Sequence, residues 1–208
     1  MLDHEFVAAK EESSSHRLMI MLHGLGDSLE GYRWLQDAMD LPWMNYLLVN
    51  APDEYYDGFS WFDFEADIRP GVKRSLSQLV ELIEAWDARG FPVEQAVLGG
   101  FSQGCLMAIE TGCRYPRRFA GIVGISGFVC HPEDLVKELS PIARNQRFLI
   151  THGRQDPLIR FDEAHRHVRV LESAGLDIDF REFQKQHTIA GEDELEIIRN
   201  FIRAGYAA

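Results

Sequence analysis

Short apolar runs with strand character recur along this chain, and between them lie segments whose apolar residues share one helical face. The runs are 17–22, 46–50, 95–99, 119–125, 147–151 and 178–183. Leu76, Leu79, Ile83 and Trp86 form one stripe, and Leu106, Ile109 and Cys113 a second. Ala164, Val168 and Leu171 form a third, and Leu195, Ile198 and Ile202 a fourth, each at the spacing that keeps side chains on one side of a helix. The run Leu18-Met19-Ile20-Met21-Leu22 is apolar at every position, as a strand must be when helices cover both faces of its sheet. The pattern predicts an α/β fold, a mostly parallel sheet with helices on both faces, in one domain over 1–208. Residues 51–70 fit neither period. They crowd Tyr55, Tyr56, Phe59, Trp61, Phe62 and Phe64 into a polar, irregular stretch, and a long insertion of that kind in a compact domain is usually functional or mobile.

Charge narrows the partners. The 208 residues carry 21 Lys plus Arg against 33 Asp plus Glu, a net charge of −12, so nucleic acid and acidic membrane surfaces are electrostatically unfavourable partners. The longest nearly apolar stretch, Phe119 to Cys130, is interrupted by Gly121, Gly124, Ser126 and Gly127 and falls short of the ~18–20 residues that span a bilayer; no transmembrane segment is expected. Three cysteines, Cys105, Cys113 and Cys130, form no CxxC pair and are odd in number, which fits buried thiols in a reducing compartment. Asp3, Glu5 and Glu11 open the chain with no basic segment leading into an apolar one, so a cytoplasmic protein is expected.

Gly100-Phe101-Ser102-Gln103-Gly104 matches G-x-S-x-G. It lies between the run 95–99 and the helical stripe beginning at Leu106, the strand–turn–helix setting that displays a nucleophilic serine on a sharp elbow. A serine hydroxyl is a weak nucleophile, so it needs a base within hydrogen-bond reach and a third group to fix the base's tautomer. The chain order expected on such a scaffold is nucleophile, acid, histidine. Of the histidines after Ser102, only His187 follows the last predicted strand; His152 ends a strand, and His165 and His167 lie in a helix. Asp156 directly follows the run 147–151, whereas Asp162 suits the first turn of the next helix, and Asp177 and Asp179 enter or lie within the last strand. Two backbone N–H groups are needed for the oxyanion of an acyl-transfer intermediate. Gln103, after the nucleophile, supplies one; Leu25 in Leu22-His23-Gly24-Leu25-Gly26-Asp27 is the candidate for the other, in a glycine-bearing loop after an early strand.

These motifs together, LHGLGD at 22–27, GGFSQG at 99–104, Ser126-Gly127, His152-Gly153-x-x-Asp156, Ser60-Trp61-Phe62-Asp63 and the late His187, resemble the phospholipase/carboxylesterase family of α/β hydrolases. That family includes acyl-protein thioesterases and small bacterial carboxylesterases. The resemblance spans roughly residues 15–203. It implies an α/β-hydrolase fold with a small or absent cap, a triad of Ser102, Asp156 and His187, oxyanion donors Leu25 and Gln103, no cofactor or metal, and a carboxylic ester or thioester substrate with a short to medium acyl chain or a lysophospholipid. Departures from the family pattern are Gln186 before His187, where the family has glycine, and Cys105 in place of a second glycine after the nucleophile.

The aromatic residues of 51–70 carry two readings: they pack the insertion onto the sheet, or part of the cluster, Trp61 and Phe62 first, walls an acyl pocket. If exposed, the same aromatics could serve a homodimer contact. A second class of function, a catalytically silent hydrolase-fold protein that binds a ligand or partner through this insertion, is set against the enzyme reading by the intact Ser102, Asp156 and His187. Gly99 and Gly104 have the spacing of a phosphate-binding loop, but Cys105 stands where that loop requires lysine. His165-x-His167 is a poor metal pair, because helix neighbours two apart diverge.

Overall fold

The all-apolar run at 18–22 becomes a fully buried interior strand of a seven-stranded sheet. In a computed structural model, which describes residues 1–11 and 14–206, the strands in chain order are β1 (His4–Val7), β2 (Leu18–Leu22), β3 (Asn45–Val49), β4 (Asp53–Tyr55), β5 (Gly58–Ser60), β6 (Ala96–Phe101), β7 (Gly121–Ile125), β8 (Arg147–Gly153) and β9 (Asp177–Phe183). The helices are α1 (Leu35–Met39), α2 (Ile68–Asp87), α3 (Gln103–Arg114), α4 (Pro132–Lys137), α5 (Phe161–Ser173) and α6 (Glu192–Gly205). The large sheet runs β1-β3-β2-β6-β7-β8-β9. All neighbours are parallel except β1, which pairs antiparallel with β3 at the edge.

Alternation along β2 divides the core in two. Leu18, Ile20 and Leu22 join Leu79 and Leu82 of α2, Leu106 and Ile109 of α3 and Val168 and Leu171 of α5 on one face. Met19 and Met21 pack with Leu35 and Met39 of α1 and Leu195, Ile198 and Ile202 of α6 on the other. This is the doubly covered, mostly parallel sheet that the sequence pattern predicts. No helix among the described residues is long and apolar enough to cross a membrane.

Several elements lie outside the sequence expectation, the five-residue α1 among them. β1, at four residues of mixed polarity, gains strand form from its ladder with β3 rather than from an apolar pattern. The insertion at 51–70 is ordered: β4 and β5 form a hairpin paired from Asp53↔Ser60 to Tyr55↔Gly58, and its last residues begin α2, capped by the Asp67 carboxylate accepting from the Arg69 N–H at 3.2 Å. α4, a six-residue helix with Pro132 in its first turn, is too short to leave a periodic signal.

Strand order sets the place where a site can form. From β2 the chain moves outward to β3, then returns to add β6 on the other side of β2, so the loops after β2 and β6 diverge at a switch point between adjacent parallel strands. Crevices at the carboxyl ends of strands open at such points.

Candidate active site

Ser102 stands at that switch point, between the last residue of β6 and the first of α3, with φ 54° and ψ −115°. Such a backbone costs about 1–3 kcal/mol and persists only when its surroundings enforce it. Here the Ser102 N–H donates to the Ile125 carbonyl at 2.9 Å, and α3 is buried from Gln103 to Cys113. The two motif glycines are required by close approach. A Cβ on Gly100 would collide with the Gly104 carbonyl, and one on Gly104 with the carbonyl of Leu22, so the turn closes tightly against itself and against the end of β2.

The loop after β9 brings His187 to this serine. Its Nε2 lies 3.0 Å from Ser102 Oγ and its Nδ1 2.7 Å from Asp156 Oδ2. The other carboxylate oxygen of Asp156 accepts from the Leu158 and Ile159 N–H groups, each at 2.9 Å. Burial pushes the Asp156 carboxyl up, but the bonds from Ile159, His187 and Leu158 outweigh it and hold the group below the usual carboxylate range. An ionised carboxylate can only accept, so Nδ1 carries the imidazole proton and Nε2 is left to accept from the serine hydroxyl. Asp162 is exposed in the first turn of α5, as a helix N-terminus favours.

Leu25 and Gln103 flank the serine from the loop after β2 and the first residue of α3. Among the described residues neither backbone N–H has a hydrogen-bond acceptor. The loop is braced from beneath by His23, whose Nδ1 lies 2.6 Å from the Gly24 carbonyl and whose Nε2 accepts from the Ala51 N–H at 3.0 Å. Burial lowers the His23 pKa, which favours the neutral ring that this donor–acceptor pairing needs. Position 24 shows how close loop and elbow come: a Cβ on Gly24 would lie 3.3 Å from the Ser102 Cβ.

Trp61 and Phe62 are not at the substrate. Both side chains are 0% exposed and neither borders the cleft over Ser102. Their work is structural. The Gln103 side chain accepts from the Trp61 N–H at 2.9 Å and donates to the Phe62 carbonyl at 3.0 Å, and the Trp61 indole donates to the His23 carbonyl at 2.9 Å. The segment 60–62 thus ties the loop carrying Leu25 to the start of α3, which corrects the expectation that these two aromatics wall the pocket. The sequence predicts a role only for the Gln103 backbone; its side chain is the centre of this brace.

The cleft itself, about 560 Å³, is bordered by Phe64, Phe101, Phe128, Leu158 and Ile159 around Ser102 and His187. Of these, only Phe64 belongs to the aromatic segment. Phe128 and the Leu158-Ile159 pair lie outside the sequence expectation, yet each follows a motif within it, Ser126-Gly127 and Asp156. Apolar residues in loops just past the carboxyl ends of parallel strands are the signal that would have found them. His165 is accounted for by stacking on Phe180, with centroids 4.8 Å apart.

A buried ion pair closes the loop that carries the histidine. Lys185 Nζ lies 2.6 Å from Glu194 Oε1, with the side chains 3% and 0% exposed, and Glu194 Oε2 accepts from the Ala190 N–H at 2.5 Å. One carboxylate of α6 therefore clasps both sides of His187. Burial pushes the Lys185 ammonium down, and Glu194 opposes that shift. Removing one member leaves the other charge buried and unpaired, so Glu194→Ala is expected to lower unfolding stability by about 3–5 kcal/mol, read by urea denaturation. Lys185→Met with Glu194→Leu, which removes both charges, should cost clearly less. Equal losses in the two variants would contradict this account.

The fold and this site define an esterase/thioesterase-type hydrolase of the α/β-hydrolase class. The sequence model of the phospholipase/carboxylesterase family matches residues 2–205, and the chain belongs to that family. It is 35% identical to acyl-protein thioesterase 1 of Schizosaccharomyces pombe over 68% of this chain and 69% of that protein. It is 29% identical to acyl-protein thioesterase 1 of Yarrowia lipolytica over 88% and 89%. Among solved structures it is similar to esterase PE8, with a TM-score of 0.85 at 27% identity over 98% of each chain. It shares its fold with acyl-protein thioesterase 2 of Zea mays, with a TM-score of 0.84 at 20% identity over the whole of both chains.

Proposed function

We propose that this chain hydrolyses carboxylic esters or thioesters of short to medium acyl chains, lysophospholipids among the candidates, through an acyl-enzyme on Ser102. The reading is carried by the continuous hydrogen-bonded line from Ser102 Oγ through His187 to Asp156, at 3.0 and 2.7 Å. Ser102 Oγ attacks the acyl carbonyl as its proton passes to His187 Nε2, and Asp156 stabilises the imidazolium. The Leu25 and Gln103 N–H groups receive the developing oxyanion, helped by the positive end of α3. Collapse breaks the bond to the alcohol or thiol, which leaves with the proton from His187. Water, deprotonated by the same histidine, then attacks the acyl-enzyme and releases the carboxylic acid and free Ser102. The names of the fungal relatives support the thioester as one substrate class. A cytoplasmic location is proposed with it, supported by the free, buried thiols of Cys105, Cys113 and Cys130.

Covalent labelling by a fluorophosphonate tests the reading directly. One adduct per chain, blocked by an ester substrate, is the expected outcome; a folded protein that takes no label would be a silent binding protein instead.

The apolar cleft predicts a chain-length profile. Each methylene it buries is worth at most ~0.8 kcal/mol, about fourfold in kcat/KM, until the cleft is full. Phe64 is the wall to alter: it is half exposed, it borders the cleft, and its ring sits 6.0 Å from that of Phe128. On p-nitrophenyl esters of increasing length, Phe64→Ala should move the optimum to longer chains by two carbons or more. An unmoved optimum in a folded variant would take Phe64 out of the acyl site.

A further inference from the structure

The cleft continues past His187. A second cavity of about 440 Å³ shares Asp27, Phe101 and His187 with the first and is otherwise bordered chiefly by Tyr32, Trp34, Ile189 and Leu195. With one cavity taking the acyl chain, the other is left for the alcohol or thiol that departs. Its polarity is one-sided: among the described residues, no lysine or arginine borders either cavity, and the carboxylates that do are Asp27, common to both, and Glu163.

Asp27 and Trp34 are held in place. The Asp27 Oδ1 accepts from the Ser28 N–H at 2.8 Å, and the carboxylate lies so close over Gly31 that any side chain at position 31 would displace it. The Trp34 indole donates to the Gly31 carbonyl at 2.7 Å and its ring stacks near Tyr32, yet the residue is 41% exposed. A fixed carboxylate beside an exposed, fixed indole pairs the two groups that attract an organic cation, by charge and by the ring's quadrupole. The chain's net charge of −12 acts in the same direction at long range.

From this juxtaposition we infer that the second cavity is a leaving-group subsite selecting esters and thioesters whose alcohol or thiol carries a positive charge. The substrate class is a quaternary or primary ammonium, or a guanidinium, a few bonds from the scissile linkage. The inference rests on the proposed hydrolase reading and adds to it the charge of the group released.

Three butyryl thioesters that differ only in the thiol test it: thiocholine, 2-methoxyethanethiol and 3-mercaptopropionate. At low ionic strength kcat/KM should fall in that order, by about tenfold from cation to anion, as expected for unit charges some ~6 Å from a carboxylate in a hydrated cleft. The spread should shrink as salt rises from ~0.01 to ~0.3 M, where the Debye length drops from ~30 Å to below 8 Å. Asp27→Asn should bring the three within about twofold of each other, and Trp34→Ala should lower the thiocholine ester selectively. Salt dependence in the unaltered protein needs no variant to fold. A flat or reversed order in the unaltered protein, or a spread untouched by both substitutions, overturns the subsite. Absence of turnover on all three together with absence of fluorophosphonate labelling overturns the hydrolase reading instead.

Discussion

Ser102→Ala is expected to lower ester turnover at least ~10³-fold and to abolish fluorophosphonate labelling, while the protein stays folded. The hydroxyl is the group of the cleft placed 3.0 Å from His187 Nε2, and the methyl left behind can neither attack nor be activated. The fold should tolerate the change, because the elbow is held by the Ser102 backbone donating to Ile125 and by the packing of Gly100 and Gly104. No cap hydrogen bond from the Ser102 side chain to α3 is lost. Residual hydrolysis would come from direct attack of water on the bound ester. Intact mass after labelling, read beside a thermal melt, checks both halves; a variant that still takes the label would remove Ser102 as the nucleophile.

Asp156→Asn should cost ~10³–10⁴ in kcat, with KM changed far less. An amide can present its NH₂ to His187 Nδ1, which leaves the imidazole proton on Nε2, where it blocks acceptance from the serine. The turn itself should persist, since the Asn carbonyl can take over the Leu158 and Ile159 N–H groups that Asp156 Oδ1 accepts. Asp162→Asn is the control. Exposed in the first turn of α5 and not part of the hydrogen-bonded line, it should leave kcat within about twofold, losing at most a few tenths of a kcal/mol of helix stability. The reverse ranking of the two variants would reassign the acid.

Both predictions concern residues that sequence reading located, and the reason lies in how parallel α/β sheets are built. Each strand delivers its carboxyl end to the same edge, so a serine, an aspartate and a histidine that follow β6, β8 and β9 are neighbours although far apart along the chain. Periodicity is enough to place those strands, and loop chemistry is enough to pick the residues after them. Helices α2, α5 and α6 were legible for a related reason: each buries one face, which leaves a 3.6-residue signature.

Direction and pairing were not legible. The crowding of aromatics at 55–64 is plain in the sequence, but whether a ring faces inward or toward the cleft depends on partners from other elements. Trp61 is drawn into the core by His23 and Gln103, 38 and 42 residues away, while Phe64, three residues on, reaches the cleft. Lys185 and Glu194 look like ordinary charged surface residues in a chain so acidic, and only the docking of α6 under the histidine loop encloses them as a pair. β1 is strand only because β3 offers it a free edge. The sequence by itself determined the α/β framework and the identity of the Ser-His-Asp line, because those follow from local period, turn chemistry and chain order. Tertiary structure alone decided which apolar side chains border the cleft, which charges are buried and how Asp27 and Trp34 come to share a cavity, because burial is a property of what packs against a residue and not of the residue itself.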